Sequence, residues 1–362
     1  MTEAPARATT VDIEGERFLI NGRPTYQGRT FEGVSIEGLL LNARMVQAIF
    51  DDLNPATHHH FAYPDGPFDA MRNTRECVAA MPAWRAAGLL GITVNLQGGS
   101  PFGYGDQVPW HNSAFRADGS LREDYLERLA LVLDTADRLG MVVILGLFYF
   151  YQDQRLADER AVVAAVDNTV GWLLEGGYRN VVVEIANEIG GGMYHHPIIE
   201  VGRGHELIAR VQERSAGRVG NRAGRLLAST SMMFGHPPGR IMALADVVLL
   251  HGNAAKRPAR LAGAIDTCRA EPAWRGQPIV VNEDDHFDFD QPDNAMLTAL
   301  RRRVSWGLFD YRQPGEGYDD GFQSVPVNWQ ISSPRKRAFF ELVARIAGGT
   351  VNAAPTERGP AD

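Results

Sequence analysis

Val181-Val182-Val183-Glu184-Ile185-Ala186-Asn187-Glu188 is an apolar run that stops abruptly at an amide and a carboxylate. A continuous β-branched run of this length reads as a strand buried on both faces, as in a parallel sheet. A second run, Pro278-Ile279-Val280-Val281-Asn282-Glu283, ends in the same way about a hundred residues later. Outward from these two, strand-like runs alternate with helical patterns along the whole chain. They fall at Thr25–Thr30, Gly91–Gln97, Met141–Phe148, 180–186, Arg225–Thr230, Asp246–His251, 278–282 and Val304–Phe309. Helical periodicity is expected at Ile36–Phe50, Thr74–Ala87, Arg122–Leu139, Asp158–Glu175, His205–Ala216, Ala259–Cys268, Asn294–Arg303 and Arg335–Ile346. Eight strands with helical connections and right-handed crossovers predict an α/β fold, a (β/α)8 TIM barrel with long βα loops. No Gly-x-Gly-x-x-Gly follows the first strand, which disfavours an open doubly wound sheet.

The 362 residues exceed the roughly 200–250 of a minimal barrel, but long loops accommodate the excess in a single domain. The expected division is a flexible segment at 1–17, the barrel at 18–348 and a disordered tail at 349–362. Asn21-Gly22 marks a small hairpin capping the barrel bottom. A formal net charge of −8 does not favour nucleic acid or an anionic membrane as partners. Two distant cysteines make no disulfide framework. The N-terminus has no apolar signal region and the chain no run of 18 apolar residues, so the expectation is a cytoplasmic protein without a membrane span. Oligomeric state is not readable from sequence.

In a barrel, strand C-terminal ends face the active-site side. Asn187, Glu188 and Glu283 then sit at one mouth, across it from each other. Two carboxylates so placed match the needs of retaining glycoside hydrolysis, where one group protonates the leaving oxygen and the other attacks the anomeric carbon. Glu184 lies deeper by the period of two and reads as structural. Aromatic and polar residues of the loops are candidates to line a sugar: Phe102, Tyr104, Trp110, His111, Phe148, Tyr149, Tyr194, His286 and Trp329. Trp84 and Trp306 fall inside helix and strand patterns and read as core.

Glu184-Ile-Ala-Asn-Glu188 resembles the strand-four signature of clan A glycoside hydrolases, especially the cellulase-like family five. The resemblance implies that Glu188 is the acid/base, Glu283 the nucleophile and Asn187 a ligand of the sugar 2-hydroxyl. It implies that His251 supports the nucleophile region and that Trp329 is a sugar platform. It covers about residues 25–346 in strand order. The chain departs from the family at the ends of strands two and three, which carry Asn95-Leu-Gln97 and Leu147-Phe-Tyr149 where an Arg and a His are usual. Arg29, ending the expected strand one, is the candidate replacement cation. Asn95, Gln97 and Tyr149 join the expected carbohydrate-binding set.

No cofactor is expected. The histidine runs His58-His59-His60 and His195-His196, and Asp284-Asp285-His286, lack His-x-His or His-Glu-x-x-His spacing, so no metal is expected either. The expectation is a retaining glycosidase acting on a β-linked glycoside or short oligosaccharide. A metal-dependent barrel hydrolase or isomerase using the loop histidines, and a non-catalytic sugar-binding barrel, are the rival classes. The sequence names neither the sugar, the linkage and the aglycone nor exo or endo action, and it does not say whether transglycosylation competes.

Overall fold

A computed structural model of the chain describes residues 6–99, 109–233, 235–253, 255 and 257–351. Eight parallel strands form one sheet: β1 (Asn42–Arg44), β2 (Gly91–Asn95), β3 (Val142–Phe148), β4 (Val181–Ala186), β5 (Leu227–Ser229), β6 (Val248–His251), β7 (Ile279–Asp284) and β8 (Ser305–Leu308). Their order is β5-β4-β3-β2-β1-β8-β7-β6. A parallel bridge between Ser231 and Leu249 spans the seam between β5 and β6 and all but closes the sheet into a (β/α)8 barrel.

The helices are α1 (Ala70–Ala87), α2 (Glu123–Leu139), α3 (Glu159–Glu175), α4 (Gly204–Ser215), α5 (Gly239–Leu244), α6 (Pro258–Ala270), α7 (Ala295–Arg301) and α8 (Pro334–Ala347). Local chemistry sets their ends. Asp69, Asp158, Asn294 and Ser333 each accept a backbone N–H of the first turn, which satisfies an otherwise orphaned donor. Gly88, Gly140 and Gly348 close α1, α2 and α8 in the left-handed conformation.

The start of the barrel differs from the sequence reading. Thr25–Thr30 is not a barrel strand, and Ile36–Phe50 is not a helix. The first barrel strand is Asn42–Arg44, followed by a single 3-10 turn at Val46–Ile49. The apolar residues Leu39, Leu40, Met45, Ile49 and Phe50 are all buried. Leu40 packs inside the barrel while Leu39, Met45 and Ile49 pack against the helices, so both sides of the segment are covered. A segment buried on both sides carries no periodicity that separates strand from helix.

Residues 11–24 form a three-stranded antiparallel sheet across the barrel bottom, turning at Asn21-Gly22 with both residues at positive φ. Val11 and Phe18 plug the interior against Leu40, Leu90, Val142, Val182 and Val280. The segment expected to be flexible is therefore tied down from at least Arg7, whose guanidinium pairs with Asp134, and Thr9, whose N–H donates to Asp137. At the other end Thr350 donates to the carbonyl of Ala86. Residues 352–362 lie outside the described residues.

Above this apolar plug the barrel interior turns polar. Asn42, Asn95 and Glu184 are fully or almost fully buried there. Glycines make their room: a Cβ on Gly146 would stand 2.3 Å from Asn95 Oδ1, and one on Gly307 2.0 Å from Asn42 Oδ1. No helix among the described residues is long and apolar enough to cross a membrane.

Candidate active site

β4 ends at Ala186, and the chain turns sharply through Asn187 and Glu188. Glu188 has φ +57°, the left-handed region that costs a side-chain-bearing residue energy. The turn is anchored by three hydrogen bonds to two residues, Ser231 and Tyr194. The Glu188 N–H donates to Ser231 Oγ at 3.0 Å, Ile189 N–H donates to the Ser231 carbonyl, and the Tyr194 hydroxyl donates to the carbonyl of Asn187. A backbone strained in this way and held by neighbouring strands fixes where its side chain points.

Glu188 Oε1 meets His251 Nδ1, at the end of β6, at 2.8 Å. The same ring nitrogen lies 3.5 Å from Glu283 Oε2 on β7. A register shift at Leu250/His251 sets His251 opposite Glu283 rather than one step short of it. One carboxylate oxygen of each glutamate and a ring nitrogen of His251 lie within 4.8 Å of one another.

Glu283 is fully buried and engaged at both oxygens. Arg44 Nε, at the end of β1, stands 3.1 Å from Oε2, and Asn253 Nδ2 donates to Oε1 at 2.8 Å. Arg44 is fully buried as well, and its Nη2 donates to Asn187 Oδ1 at 2.9 Å. One guanidinium thus donates to the amide and pairs its charge with the carboxylate. Asn187 Nδ2 has no hydrogen-bond partner among the described residues.

Burial first, then the charge of Glu283, pushes the Glu188 carboxyl up, with His251 opposing. Burial alone would lower His251, but the carboxylates of Glu283 and Glu188 outweigh it and raise it. Glu184 points inward one layer deeper, fully buried, and burial raises its carboxyl against the pull of Arg44.

The structure brings together four residues expected from sequence: Asn187, Glu188, His251 and Glu283. Arg44 and Asn253 were not anticipated. Arg44 has a sequence signal in retrospect, as the lone charge between Leu39 and Phe50. Asn253 has none beyond following His251 by two.

Other expected contacts lie elsewhere. Arg29 is exposed at the opposite end of the barrel, its Nη2 donating to the Ile346 carbonyl where α8 ends. Helices run back down the barrel, so that end cannot reach the strand C-termini. Trp329 is core: it is 1% exposed, packs on Trp84 and Phe322, and donates from Nε1 to Asn73. Trp110 is buried against Phe50, Phe61 and Val325. Gln97 is spent on scaffolding, donating to Ser113 and Gln152 and accepting from the Tyr149 N–H. Asn95 is buried inside the barrel against Gly146, and its amide has no partner among the described residues. Tyr149 is buried against Phe150. His286 is half-buried on the β7 loop, where its bond to Asp284 raises it against burial. Phe148 is core, and burial lowers His111 to about 4. Phe102 and Tyr104 lie outside the described residues. Trp84 and Trp306 are fully buried.

The loop histidines do not converge. His58, His59 and His60 are exposed on a short helical turn, while the backbone N–H groups of His195 and His196 both donate to Asp153. Among the described residues, metal-compatible spacing occurs at Glu188, His251 and Glu283 and at Asp284, Asp285 and His286.

No protein-family model matches the chain, and no curated protein matches it. Solved structures do match in fold. An endo-1,4-beta-mannanase from Rhizomucor miehei superposes with a TM-score of 0.58 at 11% identity, over 94% of this chain and 99% of its own. A glycoside hydrolase family 5 mannosidase from the same organism, solved as a point mutant, gives 0.53 at 14% identity over 94% and 98%. A family 5 xyloglucan-specific endo-beta-1,4-glucanase from a metagenomic library gives 0.52 at 13% over 86% and 96%. The fold is the barrel that these glycoside hydrolases have.

Proposed function

We propose that the chain is a clan A, family-five-like glycoside hydrolase that retains configuration, with Glu188 as acid/base and Glu283 as nucleophile. The observation that carries the reading is the pair itself: two buried glutamates on the ends of β4 and β7, with oxygens within 4.8 Å. Retaining enzymes hold their carboxyl groups about 5–5.5 Å apart, whereas inverting enzymes leave roughly 6.5–9.5 Å for a water.

The environments suit the two roles. Glu188, raised by burial and by its neighbour's charge, is suited to hold the proton. Arg44 and Asn253 give Glu283 a positive neighbour and a donor. In the first step a Glu283 oxygen bonds to the anomeric carbon while the glycosidic C–O bond breaks. The electron pair goes to the leaving oxygen, which takes the Glu188 proton. In the second step water gives a proton to the Glu188 carboxylate and its oxygen takes the anomeric carbon. Glu283 departs as the carboxylate. Asn187, oriented by Arg44, is placed to meet a substrate hydroxyl through Nδ2. The substrate is a β-linked glycoside or short oligosaccharide.

The test uses Glu188→Ala and Glu283→Gln on activated aryl glycosides. Azide is expected to restore rate to Glu188→Ala, because this small anionic nucleophile attacks the glycosyl-enzyme without the base that water needs, and to leave Glu283→Gln inactive. Failure of azide to rescue Glu188→Ala on any aryl glycoside that the native protein cleaves overturns the acid/base assignment.

A further inference from the structure

Glu188 borders a cavity of about 490 Å³. It lies outside the barrel wall, between β6 and α6. Leu249 faces the barrel interior, whereas its neighbour Leu250 faces the helical layer and lines this cavity. Leu261 and Ala264, three apart on one face of α6, form the opposite wall. Met233 and Ala255 complete the aliphatic lining. His251 and Asn253 border the cavity with Glu188, and Glu283 does not. Arg260, exposed on α6, is the further charged group at its edge.

Two features fix what such a cavity receives. The first is its side. The group attached to the oxygen that Glu188 protonates must lie beside Glu188, away from the nucleophile. The second is its surface. Away from Glu188, His251, Asn253 and Arg260 the described walls carry aliphatic carbon, so hydroxyls of a second sugar that face Met233, Leu250, Ala255, Leu261 and Ala264 would lose water without gaining partners, which is costly. An apolar group would release water from both surfaces and gain in proportion to the area covered. The volume is in the range of small-molecule pockets, about 300–1,000 Å³.

We infer that this cavity is the leaving-group site and that it takes an apolar alcohol or phenol, making the substrate a glycoside of an apolar aglycone rather than of a further sugar. The inference rests on the two-glutamate reading for which side is the leaving side. The aliphatic lining stands independently of it.

The experiment compares alkyl β-glycosides from methyl to hexyl with a disaccharide, all sharing the glycone that an aryl-glycoside panel identifies. Specificity, kcat/KM, is expected to rise about fourfold per methylene, the factor set by about 0.8 kcal/mol per buried methylene. The disaccharide is expected to fall below the hexyl glycoside. Ala264→Phe, which fills the cavity, should collapse the hexyl-to-methyl ratio, and Met233→Asp serves the same purpose if the first variant does not fold. A flat alkyl series, or a disaccharide that outruns the hexyl glycoside, overturns the inference. If no glycoside is turned over, the hydrolase reading fails. Calorimetric titration with hexyl and methyl glycosides then decides the cavity alone: tighter hexyl binding that Ala264→Phe removes supports it, and equal binding overturns it.

Discussion

Arg44→Met tests the core of the site. The substitution keeps an unbranched chain of similar reach and removes the guanidinium. In the native protein that group stands 3.1 Å from Glu283 Oε2 and donates to Asn187 Oδ1 at 2.9 Å, with Arg44 and Glu283 both fully buried. Removing one partner of a buried pair strands the other charge, at about 3–5 kcal/mol. The lost bond to Asn187 belongs to the same network, so it is not added separately. Unfolding entropy of roughly 2.1 cal/mol/K per residue, taken over this chain, converts that loss to a melting shift of about 4–7 °C. The shift should depend on pH. A stranded carboxylate escapes its penalty by taking a proton, so the gap between native and variant is expected to widen from pH 5 to pH 8. The acid limb of kcat/KM moves upward for the same reason. Thermal melts at both pH values and a pH–rate profile read these effects. Arg44→Lys, which restores charge without the two-pronged contact, should fall between the two. A gap that is the same at both pH values, with an unmoved acid limb, refutes the claim that Arg44 holds Glu283.

Other outcomes follow from the same geometry. Glu188→Gln should gain stability relative to the native protein as pH rises above the ordinary carboxylate value of 4.5. The Glu188 carboxyl is raised in the fold, so its contribution is fully present below the unfolded value and lost as pH rises through the folded one. Melting curves across pH 5–8 check this, and a native protein that gains on the variant over that range contradicts it. Trp329→Ala should cost about 3–5 kcal/mol in urea unfolding, as expected for a core aromatic, with KM unchanged for the folded fraction. A raised KM at native stability would instead restore the sugar-platform role. Dialysis against a chelator should leave glycosidase activity intact, because protonation and attack by Glu188 and Glu283 need no cation. Loss of activity that one metal restores would favour the metal-dependent class, with Glu188, His251 and Glu283 as ligands.

How much was legible depended on how each residue meets its surroundings. α3, α7 and α8 were readable from helical periodicity, a property of neighbouring turns, and the caps Asp158, Asn294 and Ser333 start them within one turn. β3, β4 and β7 were readable because a strand buried on both faces opens with a continuous β-branched or aliphatic run, Val142–Leu145, Val181–Val183 and Ile279–Val281. β1 was not, since its three residues, Asn42, Ala43 and Arg44, include two polar side chains that only a barrel interior explains. The missed strand also displaced the cation. Arg29 was favoured because it ended the expected strand one, while Arg44 sat inside an expected helix.

By itself the sequence determined the alternation of strand and helix and the two strand ends that carry Asn187, Glu188 and Glu283. These are local properties, written in burial pattern and in where it stops. Only the tertiary structure decided which side chains converge. Arg44 lies far in the chain from the His251–Asn253 segment and from both glutamates, and sequence spacing does not encode a distance across a closed barrel. The same closure placed Arg29 at the far end and Trp329 in the core, because end and depth in a barrel are set by the whole sheet.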